Sequence, residues 1–582
     1  MRTPLKNIIV LKFGSSVLQS AADLPQAVHE IYRWLRLQYS VVAVVSAFAG
    51  DTDRLLQQAQ RFGKLSNQNA VARLISTGEE QSSSLLALEL DRFGVPATVL
   101  DATQIELRAE GDACDAIPTF CATQPILDAA AAGKVVIVPG YAGRNAAGEV
   151  VLLGRGGSDL SAILLAQQLD ARCRIIKDVE GIYPSDPRIY SNARCYREVN
   201  WAEAGRVGAQ IVQPKALAFA QAAEFEFEVA QAGSDHATRV GSLQTQYRDG
   251  NSNSNSNEQQ PAPLRVGLLG LGTVGLGVFR ELWRRPDLFE VPGIAVRSPR
   301  KHQAHAPHHL LTTDGWRVVE ESDLIIEVMG GITPALDLIS AALCAGKQVV
   351  TASKLLLATA GERWRSFSQS GTLRISAAVG GALPVLETIS ELRASGRRIE
   401  QISGVLNGTC NFVLDRIAAG SAFNDAVRDA QEAGFAEADP TLDLDGTDTA
   451  CELQLIAREA FGISLALAQI PRNGIEAIDC AWVRSVASSG NRVRLVGRLW
   501  REHGTIFARV APLTVAGDCT EGVIREEQNT VTVTAEGFTK TIWGRGAGRW
   551  PTTVSVMGDV FEIARQASRR RLPLQVAAGG AA

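Results

Sequence analysis

With 582 residues, 46% of them hydrophobic and 21% charged, the chain has room for about four domains with sizeable cores. A net charge of −4 and the lack of a basic stripe argue against nucleic acid as the main partner. Nine scattered cysteines without a Cys-x-x-Cys pair argue against a disulfide framework or a zinc site, and they fit a reducing cytosol. No apolar run reaches the roughly 18 residues of a membrane span, and Met1–Lys6 lead into a strand without an apolar leader, so a cytoplasmic protein with no membrane partner is expected.

In chain order, strand patterns fall at Ile8–Leu11, Val41–Val45, Ala97–Leu100, Val135–Val138 and Arg174–Lys177, with helical spacing over Leu24–Leu37 and Ser82–Phe93. This alternation predicts an α/β layer structure on a mostly parallel sheet. Four glycine-containing clusters punctuate it: Lys12-Phe13-Gly14-Ser15-Ser16, Val45–Asp53, Ser76–Ser82 and Gly154-Arg155-Gly156-Gly157-Ser158-Asp159. Each is expected at or just after a strand, where backbone N–H groups and helix N-termini can gather around phosphate. Lys12 supplies a point charge, Arg155 can fork onto a carboxylate, and Asp159 at a helix start can orient a lysine or the phosphates. Alone, Gly-Arg-Gly-Gly is more often a surface turn; the order and spacing of the four clusters make the signal specific.

The stretch from Tyr247 to Gln260, with Asn251-Ser-Asn-Ser-Asn-Ser-Asn257 at its centre, reads as a solvated linker. Beyond it the strand pattern restarts at Arg265–Leu269, Gly293–Val296, Leu324–Val328 and Gln348–Thr351. Gly270-x-Gly272-x-x-Gly275 follows the first of these and opens a helix, the context a dinucleotide fingerprint requires. The second strand ends in Arg297-Ser298-Pro299-Arg300-Lys301 with no acidic residue for a ribose 2′-hydroxyl, which favours NADP(H) over NAD(H). Lys354, after the strand Gln348–Thr351, is placed as a proton donor to an alkoxide. Glu437–Asp448 is an acid-rich loop whose carboxylates can grip an ammonium group, and its spacing does not fit an EF-hand. Helices over Ala422–Ala433 and Thr447–Phe461 and strands over Thr530–Thr534 and Thr539–Trp543 complete an α+β substrate domain.

Gly154–Asp159 and Lys177-Asp178-Val179-Glu180-Gly181-Ile182-Tyr183-Pro184-Ser185-Asp186-Pro187-Arg188 make residues 5–245 resemble aspartate kinase of the amino-acid kinase family. The resemblance implies an amino-acid kinase α/β sandwich that uses ATP with Mg2+. Lys12 and Asp159 would be catalytic, Ser46, Thr52, Glu79 and Arg155 would hold aspartate, and Gly14, Ser15, Asp178, Tyr183 and Arg188 would lie at ATP. The chain departs from the family with one glycine before Ser15-Ser16 and with Gln210 in place of a lysine, Lys215 standing nearby as a substitute. It also lacks the small regulatory domains that follow such kinases.

Gly404–Phe412, Glu437–Asp448 and Gly544–Thr552 make residues 264–565 resemble homoserine dehydrogenase, a family that reduces aspartate semialdehyde to homoserine and dimerises. Lys354 and Asp448 would be catalytic, and Gly408, Thr409, Glu437 and Asp443 would contact substrate. Gly270, Gly272, Thr273, Val274, Gly275, Arg297, Gly330 and Ser353 would bind the dinucleotide, and no protein metal site is expected. Here Glu452 stands where the family has a lysine, Phe435 replaces a tyrosine, and Ser353 replaces an asparagine. The expected layout is a kinase domain (1–246), a linker (247–262), a Rossmann dinucleotide domain (263–400), an α+β substrate and dimerisation domain (401–543) and a return to the nucleotide domain with a tail (544–582). The leading reading is a bifunctional, homo-oligomeric (dimer or tetramer) enzyme. One alternative reduces one half to a scaffold, and another gives the kinase a different amino-acid specificity.

Overall fold

The computed structural model describes residues 7–63, 67–187, 189–190, 193–208, 211–242, 244–248 and 262–570. Arg188, Gln210 and the Asn251–Asn257 tether lie outside them. The chain divides into two compact units, Met1–Glu258 and Gln259–Ala582.

In the first unit the strands are β1 (Ile8–Phe13), β2 (Ser40–Val45), β3 (Ala97–Val99), β4 (Arg108–Asp112), β5 (Asp115–Phe120), β6 (Val135–Pro139), β7 (Ala142–Arg144), β8 (Val150–Leu152), β9 (Arg172–Lys177), β10 (Tyr196–Asn200), β11 (Phe227–Gln231), β12 (Thr238–Gly241) and β13 (Gln246–Tyr247). Its helices are α1 (Leu24–Arg36), α2 (Asp51–Gln60), α3 (Gln68–Arg92), α4 (Gln124–Ala131), α5 (Gly157–Gln168), α6 (Trp201–Val207) and α7 (Pro214–Ala222). Among the described residues nine strands form one sheet in the order β13-β10-β12-β11-β9-β1-β2-β6-β3, and β5-β4-β7-β8 form a second. From β11 to β3 every pairing is parallel, so the carboxyl ends of these strands collect on one edge. β1 lies inside the sheet and is buried throughout, which is why an apolar run can carry Lys12 to the centre of that edge.

One expectation fails here. Ser76–Ser82 does not follow a strand but lies within α3, a helix of 25 residues. Ser76 Oγ and Thr77 Oγ1 satisfy themselves inside the helix by donating to the Arg73 and Leu74 carbonyls at 3.0 and 2.7 Å. Gly78 is needed for packing: a Cβ there would stand 3.0 Å from Ala47 Cβ and 3.3 Å from Leu55 Cδ1.

In the second unit the strands are β14 (Leu264–Leu269), β15 (Phe289–Glu290), β16 (Ile294–Ala295), β17 (Leu311–Thr312), β18 (Leu324–Glu327), β19 (Gln348–Thr351), β20 (Leu373–Arg374), β21 (Ile399–Val405), β22 (Asn491–Glu502), β23 (Thr505–Ala516), β24 (Gln528–Ala535) and β25 (Phe538–Arg545). Helices α8 (Thr273–Trp283), α9 (Gly315–Glu320), α10 (Ala335–Cys344), α11 (Lys354–Ala360), α12 (Arg365–Gln369) and α13 (Val385–Ala394) accompany the first of these. The later helices are α14 (Gly408–Ala418), α15 (Phe423–Glu432), α16 (Thr441–Leu444), α17 (Thr447–Phe461), α18 (Cys480–Ser488), α19 (Thr520–Val523) and α20 (Arg549–Arg570). Among the described residues β17-β16-β14-β18-β19-β20 form a parallel sheet, with β15 also pairing β14, and β23-β22-β21-β24-β25 form an antiparallel one. α20 packs back on the parallel sheet: Val556, Met557 and Val560 share a core with Val266, Leu268 and Val278. The Arg549 Nε donates to the Thr273 carbonyl at 3.1 Å. No helix among the described residues is long and apolar enough to cross a membrane.

Candidate active sites

In the first unit three elements deliver charge to one point. Lys12 Nζ from β1 lies 2.7 Å from Asp159 Oδ1, and Lys177 Nζ from the end of β9 lies 3.6 Å from Asp159 Oδ2. Asp159 sits in the first turn of α5, which Gly156 caps in the left-handed region at φ 77°. Burial alone would raise the Asp159 pKa, but the two ammonium groups hold it below its ordinary value. Gly14 follows from the same geometry, because a Cβ there would come within 2.8 Å of Lys12 Nζ. Ser15 is exposed in the turn that Val17 and Leu18 close by donating to the Gly14 carbonyl.

Around this cluster, Ser46 Oγ donates to Ser158 Oγ at 2.8 Å, and Glu79 Oε1 accepts from the Ala47 N–H at 3.3 Å. Glu79 is buried, and burial pushes its pKa up to about 7 against the pull of the Ala47 N–H and the Lys12 charge. Thr52 is the second residue of α2 and half-buried; Arg155 is exposed in the turn before α5. Asp178 is exposed just after β9, and Tyr183 is half-buried, its hydroxyl pKa raised first by burial and then by Cys195 and Glu180. Asp178 and Tyr183 thus lie on the chain that leaves β9. Lys215 is not a spare cation. Its Nζ donates to the Leu153 and Ala116 carbonyls at 2.8 and 3.0 Å and to the Asp115 carboxylate, tying the Gly154 loop to the β4–β5 hairpin.

In the second unit, Gly270 has φ 104°, and a Cβ on it would meet the Val328 carbonyl oxygen at 2.7 Å. A Cβ on Gly275 would stand 2.3 Å from the Gly270 carbonyl, so both glycines are demanded by close backbone packing. Gly272 precedes the first turn of α8, where Thr273 and Val274 lie, and no described atom comes within 4 Å of where its Cβ would be. That leaves room for a pyrophosphate against the helix N-terminus. Gly330 follows β18 at φ 71°, Ser353 precedes α11, and Arg297 is exposed after β16. Glu327, which the sequence reading missed, is buried between the sheet ends. It accepts from Thr351 Oγ1 at 2.6 Å and from the Met329 N–H at 2.8 Å, and burial raises its pKa.

After β19 a lysine stands between two carboxylates. Lys354 Nζ lies 2.7 Å from Asp448 Oδ2 and 2.5 Å from Glu452 Oε1, the acids standing one turn apart on α17. Burial would strip the Lys354 proton, but Asp448 and Glu452 overrule it and hold the ammonium above its ordinary range. Glu452 is wholly buried, which raises its pKa, and its Oε2 accepts from the Gly380 N–H at 2.9 Å. One cation is therefore shared by two like charges on one face of α17.

Asn407, also missed as a site residue, is the N-cap of α14. Its Oδ1 accepts from the Cys410 N–H at 2.8 Å, while its Nδ2 donates to Asp443 at 2.7 Å and to Asp448 at 3.4 Å. An Asn before Gly-Thr at a helix start is a capping signal that could have marked it. Gly408 is fixed by Glu527, whose Cα would lie 2.8 Å from an added Cβ. The Thr409 hydroxyl donates to the Phe435 carbonyl at 2.7 Å, and Phe435 packs its ring on Phe412 at 4.7 Å. Glu437 is exposed and outside the hydrogen-bonded group, and it adds only weakly to the rise in the Asp443 pKa that burial and then Asp448 cause.

Comparison with known proteins agrees with this division. The model of the amino acid kinase family matches residues 7–229, that of the homoserine dehydrogenase NAD binding domain matches 270–375, and that of homoserine dehydrogenase matches 384–561. Homoserine dehydrogenase of Synechocystis is 34% identical over 52% of this chain and 73% of its own length, and that of Pseudomonas aeruginosa is 35% identical over the same shares. The crystal structure of a homoserine dehydrogenase from Thiobacillus denitrificans matches with a TM-score of 0.50 at 33% identity, over 53% of this chain and 76% of that one. The chain is thus an enzyme of the homoserine dehydrogenase family with an amino acid kinase domain ahead of it, the architecture of a bifunctional aspartate kinase/homoserine dehydrogenase.

Proposed function

We propose that the first half transfers the γ-phosphoryl group of ATP to the side-chain carboxylate of L-aspartate, and that the second interconverts L-aspartate 4-semialdehyde and L-homoserine with NADP(H) in preference to NAD(H). The observation that carries this is a lysine–carboxylate cluster at the carboxyl edge of each parallel sheet: Lys12–Asp159 in one, Lys354–Asp448 in the other. Domains at 1–246, 263–400 and 401–543, joined by a linker at 247–262 and closed by 544–582, and a cytoplasmic homo-oligomer belong to the same reading.

In the kinase, Lys12 neutralises the transferred group while Asp159 orients the lysine. Ser46, Thr52, Glu79 and Arg155 hold aspartate, and Gly14, Ser15, Asp178, Tyr183 and Arg188 hold ATP. Mg2+ travels on the phosphates. In the dehydrogenase the nicotinamide supplies or accepts the hydride. Lys354 gives a proton to the developing alkoxide, and Asp448 keeps the lysine charged and aimed. Asp443, Glu437, Gly408 and Thr409 bind the amino acid. Gly270, Gly272, Thr273, Val274, Gly275, Gly330 and Ser353 cradle the dinucleotide, with Arg297 at the 2′-phosphate. Aspartate-dependent ADP release, and homoserine-dependent reduction faster with NADP than with NAD, are the expected activities. Loss of either from folded wild-type chain contradicts the reading.

The raised pKa of Glu79 gives a pH signature. If its carboxylate grips the aspartate ammonium, binding needs the ionised form and is lost as pH falls through about 7. The KM for aspartate is expected to rise about tenfold per pH unit below that point, and a Glu79→Gln variant to bind weakly with no such limb.

Glu452 favours a second reading in which the dehydrogenase half is a scaffold, because two carboxylates occupy the Lys354 ammonium. Glu452→Lys separates the two. A site that works with Glu452 should show no gain in homoserine oxidation. A gain in rate would show a disabled site. Finally, the kinase rate is expected to stay flat against lysine, threonine and methionine, and an inhibition curve with any of them contradicts that expectation.

A further inference from the structure

Lys177 has no part in the roles described so far, yet it shares the buried carboxylate of Asp159 with Lys12. Its strand β9 runs parallel beside β1, with Lys12 opposite Ile175 and Phe13 opposite Ile176. Both lysines therefore emerge at the same sheet edge, where the Gly14 turn and the N-terminus of α5 open. One carboxylate offsets one ammonium. With Asp159 held ionised, the groups in contact are two ammoniums and one carboxylate, in a site from which little of either lysine side chain reaches water.

The two lysines are not equivalent. Lys12 is held at 2.7 Å and its side chain is 7% exposed; Lys177 stands off at 3.6 Å and is 13% exposed. Lys177 is thus the looser and more accessible of the two ammoniums. An isolated structural ion pair needs no second cation, and crowding two is unfavourable unless an anion arrives between them. Resting on the kinase reading above, we propose that Lys177 is a second catalytic cation of phosphoryl transfer, contacting the non-bridging oxygens of the γ-phosphoryl group.

In this step a carboxylate oxygen of the acceptor forms the new bond to phosphorus while the bond from phosphorus to the β,γ-bridging oxygen breaks. ADP leaves with the electron pair. Lys177 stays protonated and offsets the charge on the transferring group, while Lys12 with Asp159 fixes its position. The groups acting on Lys177 are Lys12 from β1, Asp159 from α5 and Asp178 next in the chain. Burial and the Lys12 charge pull its pKa down to about 8 despite the two carboxylates.

Lys177→Met and Lys177→Arg in the full chain test the proposal, read out as kcat, KM for ATP and the pH profile of ADP release. Lys177→Met should lower kcat by about 10²-fold, with thermal stability close to wild type. Lys177→Arg should recover at least a tenth of the rate. Wild-type kcat/KM for ATP should fall above about pH 8 as the free enzyme loses the Lys177 proton, and Lys177→Arg should remove that limb, since a guanidinium does not titrate there. Lys177→Met with wild-type kcat overturns the proposal while the kinase reading stands. Equal losses in both variants with a shared fall in stability mark a structural ion pair and overturn it too. A wild-type chain that releases no ADP with aspartate or any other amino acid overturns the kinase reading and this inference together.

Discussion

Replacing Lys354 with Met is expected to lower homoserine-dependent NADP reduction by about 10²–10⁴-fold, the usual worth of a positioned proton donor. The size follows from what the ammonium touches. Asp448 at 2.7 Å and Glu452 at 2.5 Å both rely on it, and Glu452 is wholly buried. Removing the cation leaves two carboxylates facing each other, and breaking such a pair costs about 3–5 kcal/mol of stability when one partner stays charged and buried. The pairing of Lys354→Met with Glu452→Gln separates chemistry from folding, because it removes the stranded charge along with the donor. The double variant should melt nearer wild type and bind NADPH within about threefold of it, by fluorescence titration, yet remain as slow as the single variant. A Lys354→Met rate within tenfold of wild type would remove the lysine from the proposed chemistry.

Lys12→Met should reduce aspartate-dependent ADP release by about 10²–10³-fold, the loss seen when one preorganised donor to a developing charge is deleted. Lys12 reaches the sheet edge from a strand buried at every position, which fixes where its ammonium stands. Asp159 would keep Lys177 at 3.6 Å as a partner, so the fold should tolerate the change better than Lys354→Met does. Circular dichroism and melting would check this. A variant that keeps more than a tenth of the wild-type kcat contradicts the assignment.

Much of the fold could be read from the chain because its local signals agree. The expected helix Thr447–Phe461 has the observed ends, set by left-handed glycines on both sides, Gly446 at φ 81° and Gly462 at φ 70°. The dinucleotide fingerprint was legible because its glycines answer to backbone packing inside a few residues. The hairpin β22–β23 gave no signal: Arg492, Arg494, Arg498 and Arg501 interrupt its apolar runs, and the buried Arg494 is satisfied by groups such as Asp415, far away in sequence, which accepts from it at 2.8 Å. The Ser76–Ser82 segment was expected at or just after a strand because of its Ser, Thr and Gly, whereas it lies within α3 with Gly78 packed close to Ala47 and Leu55. Candidate site residues can be named from the chain, but their arrangement cannot. Lys354 and Asp448 are 94 positions apart, and only the folded chain shows that Glu452 and Asn407 join them. Lys177 was read as a motif residue, and its reach to Asp159 depends on the parallel pairing of β9 with β1.

A crossed assay on one preparation of each protein tests the central claim most directly: ADP release with aspartate and NADP reduction with homoserine, measured for wild type, Lys12→Met and Lys354→Met. Two working sites in one polypeptide predict both activities in wild type, loss of the first alone in Lys12→Met and loss of the second alone in Lys354→Met. A wild-type chain missing either activity, or one lysine variant that silences both while still folded, would contradict it.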